Sequence, residues 1–350
     1  MILNQWYVIL DSKEVKKNQV IGVKRMGLNL VVWRDSKGII GAAVDKCPHR
    51  GIALSKGKVV NDHLQCPFHG FEYDTTGACR LIPANGKMAT VPEHIHANAY
   101  PVTEQHGFIY LWWTGAPGEE KRQPTDTDAP SGKQEKLKEK TSSPPMVPWF
   151  TNLGNDLVWR GFTDRWKAHY SRAIENQLDV VHVPFIHHTT IGRGIGPLVN
   201  GPYTETDGNR LSFWPANDHD NGQTPVPPAK MSKPDKSTYL TFLFPNLWQN
   251  HIMDAMRIVV AFVPVDENNT IFYLRTYQKM VKIPLLKEIF FFLTKIYNRI
   301  VLAQDRRVVE THQPQATSLK MDENLIAGDY PIILYRKRRD ELHRAVGHSV

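Results

Sequence analysis

Cysteine is scarce in this chain, with three in 350 residues. That excludes a disulfide framework and fits a reducing cytoplasm. Long apolar runs are also missing. The richest, IPLLKEIFFFLTKIYNRIVLA from Ile283 to Ala303, contains Lys287, Glu288, Lys295 and Arg299, and each charge would cost about 2.5–3.5 kcal/mol near the centre of a bilayer. It reads as a packed helix, not a transmembrane span, with surface contact through Phe290, Phe291 and Phe292 as the lesser alternative. The N-terminal MILNQWYVIL has no basic stretch, apolar core and small-residue cleavage site, so a cytoplasmic location is expected. No glycine fingerprint for a dinucleotide and no flavin-type signature occurs, so the chain is not expected to carry its own reductase. The net charge of +8 comes from dispersed lysines and arginines. No nucleic-acid motif accompanies them, and a basic surface that receives an acidic protein is an equally good reading.

What is present suggests two domains. The length exceeds that of a typical compact unit, and 41% hydrophobic residues suffice for ordinary cores. Residues 1–116 read as β-rich, with short apolar runs such as NLVVWR, IIGAAVD and GFIYLWW between polar turns. Residues 117–148 lose nearly all large apolar side chains and gain Pro, Lys, Glu and Ser, which marks a linker or loop. Residues 149–350 form a second domain. YLTFLFPNLW predicts a strand there, and MRIVVAFVPV and TIFYLRTYQKM predict a hairpin around Asp266 to Asn269. Helices are expected around Trp166 to His182 and from about Leu285 to His312, with a basic tail after Tyr335.

The chain repeats one short pattern. CPHRG at Cys47 to Gly51 returns as CPFHG at Cys66 to Gly70. Cys47-x-His49 and Cys66-x-x-His69 offer two thiolates and two imidazoles from two short loops, each closed by a glycine that permits a tight turn. Four ligands in two pairs suit a metal. Zinc is one candidate, since Cys₂His₂ is a structural zinc set. Zinc fingers, however, group like ligands together, whereas each loop here carries one of each. One iron could then take both sulfurs and a second both nitrogens, as a Rieske [2Fe–2S] cluster requires. Cys79 has no matching histidine and reads as a buried structural thiol.

The C-P-H-R-G…C-P-F-H-G pair resembles the Rieske domain of the Rieske non-haem iron oxygenases, and the likeness extends over most of the chain. Two imidazoles in place of two thiolates reduce the negative charge on the cluster and raise its potential, which suits single-electron transfer.

A carrier of electrons alone needs no second domain of this size, so a place where electrons are spent is sought in ENQLDVVHVPFIHH, Glu175 to His188. On a helix, Asn176, Asp179 and His182 share one face, and Asp179 can meet the imidazole of His182. Pro184 is expected to end or kink that helix and bring His187 back towards the same metal. Two histidines and one carboxylate form the facial triad that binds non-haem Fe(II) and leaves positions open. N-x-x-D-x-x-H-x-x-x-x-H is similar to the catalytic-iron motif of the same oxygenases. That motif's four-residue gap selects His187 over its neighbour His188. The carboxylate must come from elsewhere. In AQDRRVVE, Asp305 resembles the family's ligand in position, although Gln304 stands where the family usually has an acid. Glu310 reads as a salt-bridge partner for Arg306 or Arg307.

The resemblance implies further features. The fold would be α+β: a β-rich Rieske [2Fe–2S] domain followed by a helix-grip catalytic domain, a curved antiparallel sheet with helices. The cofactors would be a [2Fe–2S] cluster and a mononuclear non-haem Fe(II), with O₂ as co-substrate. A separate reductase or ferredoxin would supply electrons from NAD(P)H. Asp179 would join His69 of one subunit to His182 of the next, which implies a homotrimer, and Asn176 would lie just outside the iron ligands. HVPFIHH is more similar to demethylase-type and chlorophyll-pathway-type members than to ring dioxygenases, which favours monooxygenation of a small organic substrate. Ring cis-dihydroxylation is the second enzymatic reading, and an electron-transfer protein the non-enzymatic one. Candidate pocket residues are Ile186, Asn250, Met253, Met256 and Thr276.

Overall fold

The structure is a computed structural model that describes residues 1–118 and 144–346. Of the expected linker, 119–143 lie outside the described residues, as do 347–350 of the second domain.

The short N-terminal runs form three antiparallel sheets. One contains β1 (Gln5–Asp11), β10 (Val102–Gln105) and β11 (Phe108–Trp113), with β11 central. A second orders β2 (Gln19–Arg25), β3 (Leu28–Arg34), β4 (Ile40–Val44) and β9 (Ala99–Tyr100). The third orders β5 (Lys58–Val60), β6 (His63–Gln65), β7 (Glu72–Tyr73) and β8 (Cys79–Leu81). Strand β3 is apolar on both faces because both are buried. Leu30 and Val32 pack with Tyr7 and Ile9, whereas Val31 and Trp33 pack beneath Cys47 and Cys66.

The second half is built on a seven-stranded antiparallel sheet. Its spatial order is β12 (Val158–Trp166), β20 (Asn269–Gln278), β19 (Met256–Asp266), β18 (Leu247–Met253), β17 (Tyr239–Leu243), β15 (Arg210–Trp214) and β14 (Tyr203–Asp207). A ribbon of β13 (Leu198–Val199) and β16 (Asn217–Asp218) accompanies it. Among the described residues four α-helices accompany the sheet: α1 (Tyr170–Leu178), α2 (Val183–Ile186), α3 (Pro284–Val309) and α4 (Tyr330–Ala345). The class is therefore α+β, as expected. The β19–β20 hairpin pairs Asp266 with Asn269 across its turn, also as expected.

Alternation along the long strands gives the sheet two apolar faces. Val260, Phe262, Phe272 and Leu274 meet the helices together with Ile174, Leu302 and Tyr335. Val259, Ala261, Val263, Ile271 and Tyr273 meet Trp6, Val8, Phe108 and Tyr110 of the N-terminal domain. The sheet is thus a wall shared by both domains. One polar side chain within that wall is fully matched: Asn246 Nδ2 donates to the carbonyls of Val8 (3.1 Å) and Phe262 (3.0 Å), and its Oδ1 accepts from the Val8 amide (3.2 Å).

Several expected elements differ. YLTFLFPNLW is not one strand but two, β17 and β18, joined through Phe244 and Pro245, because proline cannot donate to a ladder. The expected helix from Trp166 to His182 is shorter, since Trp166 ends β12 and α1 starts at Tyr170. The expected basic tail is α4. Arg336 and Arg339 are buried in it, and Arg336 forms a two-point pair with Glu175 of α1 at 2.8 and 2.7 Å. A cluster of arginines looked like solvated charge in the sequence, but the buried Glu175 and the half-buried Glu323 balance Arg336, and Thr317 and Tyr335 hold Arg339.

Candidate functional site

The two Cys-Pro loops close in the same way. The amide of Cys47 donates to the carbonyl of Ile52 (2.8 Å) and that of Gly51 to Cys47 (2.8 Å); Cys66 donates to Phe71 (2.8 Å) and Gly70 to Cys66 (3.1 Å). Gly51 and Gly70 take φ of 75° and 73°, where a side chain would be strained. The sequence repeat is therefore a repeat of backbone geometry. Both thiols are buried, while His49 is exposed and His69 half-buried, their rings 4.7 Å apart. Burial, and to a smaller degree the neighbouring Cys47 thiol, push the Cys66 thiol up. The Tyr73 hydroxyl lies 3.2 Å from Cys47 Sγ. Burial and then Cys47 raise its phenol, so it keeps its proton beside the sulfur. Buried sulfurs below and imidazoles towards solvent fit a Rieske [2Fe–2S] group. Cys79 shares this core but belongs to neither loop, and its thiol lies 3.5 Å from the Leu81 carbonyl.

The second group of donors is more compact. His182, His187 and Asp305 each bring one ligand atom to within 4.8 Å of the others. Asp305 Oδ1 is 2.9 Å from His187 Nε2 and 3.5 Å from His182 Nε2, yet it is buried and meets no donor in hydrogen-bonding geometry. Two imidazole nitrogens and a carboxylate oxygen that converge on one region, the oxygen otherwise unsatisfied, fit a cation. The set of two imidazoles and one carboxylate suits non-haem iron.

Local chemistry places each ligand. His169 caps α1 by accepting the Ser171 amide at its Nδ1 (3.3 Å). Burial, then Arg339, lower its pKa to about 4, so the ring is neutral and can accept. Helix α1 ends at Leu178, and Asp179 is extended, with φ −82° and ψ 127°. The expected single helical face for Asn176, Asp179 and His182 is therefore not formed. Asp179 instead turns its carboxylate onto the following backbone, accepting the amides of Val181 (2.6 Å) and His182 (3.3 Å), a local bond that aspartate readily makes. Its other oxygen faces His182 Nδ1 at 3.4 Å, too long and oblique for a hydrogen bond but close enough for charge attraction. Burial opposes ionisation of Asp179, but His182 and these amides outweigh it and hold the carboxyl below its usual range. Pro184 does not break a helix. It lies in the first turn of α2, where a missing N–H costs nothing, and α2 delivers His187 at its end.

His187 Nδ1 meets Gln304 Oε1 at 2.8 Å. That bond places the proton on Nδ1 and leaves Nε2 free as a ligand. Gln304 is held in turn by the hydroxyls of Thr190 (2.7 Å) and Thr189 (3.0 Å). In the sequence Gln304 registered only as a departure from a family pattern. Burial lowers the His187 pKa, but Asp305 and then Gln304 raise it to a net increase. His188 is exposed and turned back to the Phe185 carbonyl. Glu310 pairs with neither arginine expected for it: it accepts the Lys167 amide at 2.8 Å, and Arg306 goes to Asp164 at 2.8 Å.

The pocket candidates divide. Leu240, Asn250, Ile258 and Thr276 are register partners across β17, β18, β19 and β20, one row on the helix-facing side. Thr276 is bonded to Asn298 of α3 (3.1 Å), two turns and about 10 Å along the helix from Asp305. In the neighbouring row Trp248 donates to the Gln177 carbonyl (3.1 Å), next to the triad. Asn250 Oδ1 and Asn176 Nδ2 are buried without partners, so each has a polar atom to offer a ligand. Met256 lies on the same face of β19 as Ile258, beside the β18–β19 turn, and Ile186 is half-buried on α2. Met253 is 42% exposed at that turn, so it is not an enclosed lining residue as expected.

Comparison with known proteins adds three findings. Residues 5–92 match the Rieske [2Fe-2S] domain family, and residues 166–345 match the vanillate O-demethylase oxygenase C-terminal domain family. Oxidoreductase NdmD of Pseudomonas putida is 36% identical over 118 residues, 33% of this chain and 20% of that protein; the dicamba O-demethylase oxygenase component of Stenotrophomonas maltophilia is 36% identical over 112 residues, 32% of each. The match thus spans between a fifth and a third of those relatives. The structure of Pseudomonas putida CBB5 NdmA superposes with a TM-score of 0.71 at 21% identity, covering 98% of this chain and 91% of the other.

Proposed function

The chain belongs to the Rieske non-haem iron oxygenases, and on that premise we propose that it is the oxygenase component of a multi-protein system. It hydroxylates or demethylates a small organic substrate with O₂, using electrons that a separate reductase or ferredoxin draws from NAD(P)H. The observation that supports this is the convergence of His182, His187 and Asp305, with an unsatisfied buried carboxylate oxygen, in a chain that also carries the paired Cys-His loops.

His182, His187 and Asp305 would hold Fe(II), which when bound supplies O₂ activation, and the group held by Cys47, His49, Cys66 and His69 supplies stored single electrons. The chain's own residues do the rest. Gln304 fixes the tautomer of His187, and Asp179 orients His182 through its Nδ1 side. The apolar members of the row, Leu240 and Ile258, pack against the helix-side core, while Asn250 and Thr276 give a substrate polar groups to align on. Asp179 remains a quarter exposed beside His182, which leaves room for His69 of a neighbouring chain in a homotrimer.

Metal analysis and oxygen uptake test this reading. The loaded protein should hold one iron more than its cluster requires, and alanine at His182, His187 or Asp305 should remove that iron while the cluster stays reducible. A screen for substrate-dependent O₂ uptake with a surrogate reductase should find a consumed compound. A protein with cluster iron alone would be an electron carrier, and the oxygenase reading would fall.

A further inference from the structure

Helix α3 presents apolar side chains on the wrong side. Phe291, Asn298, Leu302, Asp305 and Val309 are its buried face. At 100° per residue, Leu286, Ile289, Phe292, Leu293, Ile296 and Ile300 occupy an arc of about 120° on the opposite face. Those six side chains are 44–62% exposed. An exposed apolar stripe of this size marks an interaction surface.

Charge decides what covers it. Lys282 before the helix, and Lys295 and Arg299 along one edge of the stripe, are exposed. Among the described residues Lys282 and Lys295 have no ion-pair partner, and Arg299 lies over the Phe162 ring at 5.3 Å. The one acid of the helix on that side, Glu288, is already tied to Arg160 at 2.6 Å. A second copy docking face to face would bring these cations against their own equivalents with no free carboxylate between them. An anionic lipid surface offers both an apolar layer and the opposite charge. No helix among the described residues is long and apolar enough to cross a membrane, so α3 would lie in the plane of the interface, as amphipathic helices with basic flanks do.

We propose that the outer face of α3 docks the protein onto anionic bilayers, independently of the reaction performed inside. The test is flotation of the full-length, iron-loaded protein with vesicles of phosphatidylcholine, with and without phosphatidylglycerol. The wild type should float with the anionic vesicles at low salt and at least tenfold less with the neutral ones. Phe292→Asp combined with Leu293→Asp, both at exposed positions, should reduce flotation at least tenfold while cluster absorption and light-scattering mass stay unchanged. Lys282→Glu with Lys295→Glu should weaken it as well. If the aspartate variant is poorly folded, Leu293→Trp in the otherwise native chain gives the same answer, because its fluorescence should shift to the blue on adding anionic vesicles. The proposal is overturned if the wild type stays unbound, if neither pair of substitutions alters flotation, if the tryptophan emission does not move, or if the aspartate variant lowers the mass, since the face would then join copies of the chain.

Discussion

An imidazole that binds a metal through one nitrogen usually commits the other to an acceptor, which fixes its tautomer and orientation. At His187 the commitment is to Gln304, which makes that amide a positioning residue for the iron ligand. Gln304→Leu should lower the affinity for Fe(II), or for Co(II) as a spectroscopic probe, by about 10- to 100-fold. Gln304→Glu keeps an acceptor in place and should restore most of it. Equal affinity in the leucine variant would assign the control of His187 to another group. Asp179 calls for a different measurement. Asp179→Asn preserves shape and the capping of the Val181 amide but removes the charge facing His182. Both metal centres should load, and single-turnover oxidation of a chemically reduced cluster should slow by about 10- to 100-fold. An unaltered rate would reduce Asp179 to a turn-forming residue. The ligand candidates were readable from sequence because Cys-x-His, Cys-x-x-His and the His182–His187 gap are local patterns. Gln304 was not, because its significance depends on α2 lying against α3, more than a hundred residues further along the chain.

Helix α1 shows what local pattern conveys and what it hides. Its existence was predictable, but its ends were not, since His169 is an unusual cap and Asp179 prefers its own backbone to a further helical turn. The α4 segment was misread for a related reason: a run of arginines carries no sign of the carboxylates, Glu175 and Glu323, that bury it. The His169 cap has a pH signature. Its folded pKa of about 4 lies below the usual 6.5, so the unfolded chain binds more protons between those values. Stability from this group is complete above pH 6.5 and is lost as the pH falls towards 4, by up to roughly 3 kcal/mol, given 1.36 kcal/mol per unit. His169→Asn supplies a cap that does not titrate. Denaturant unfolding of the two proteins across pH 6.5 to 4 should therefore show a shallower fall for the variant, and parallel curves would mean that the ring already protonates freely.

At the scale of the whole molecule, the two halves share one wall, and a buried cation is one of the groups that join them. Arg275 on β20 is 1% exposed, donates to Asp11 Oδ2 on β1 at 2.9 Å and to the carbonyls of His106 and Gly107 at 2.6 Å each, and lies between the Phe108 and Trp159 rings. In sequence Arg275 was an unremarkable charge in a strand, and the change of composition after residue 116 suggested separable units. The buried pair argues that they unfold together. Arg275→Met removes the cation that faces Asp11 Oδ2 and the His106 carbonyl, although Asp11 Oδ1 keeps the Lys13 amide and the Gly107 carbonyl keeps the Ser12 amide, so it should cost about 3–5 kcal/mol, as breaking a buried pair does. Adding Asp11→Leu removes the stranded charge, and the double variant should recover part of that loss, because a pair replaced by apolar groups is often close to neutral. Cluster absorption reports on the first half of the chain, whereas intrinsic fluorescence, with Trp6, Trp33, Trp112 and Trp113 in that half and Trp149, Trp159, Trp166, Trp214 and Trp248 in the other, reports on both. In the wild type they should be lost in one transition, and in Arg275→Met in one transition at lower temperature or two that have separated. If the cluster signal and the fluorescence already melt apart in the wild type, the wall does not couple the domains, and Arg275 stabilises only the strands it touches.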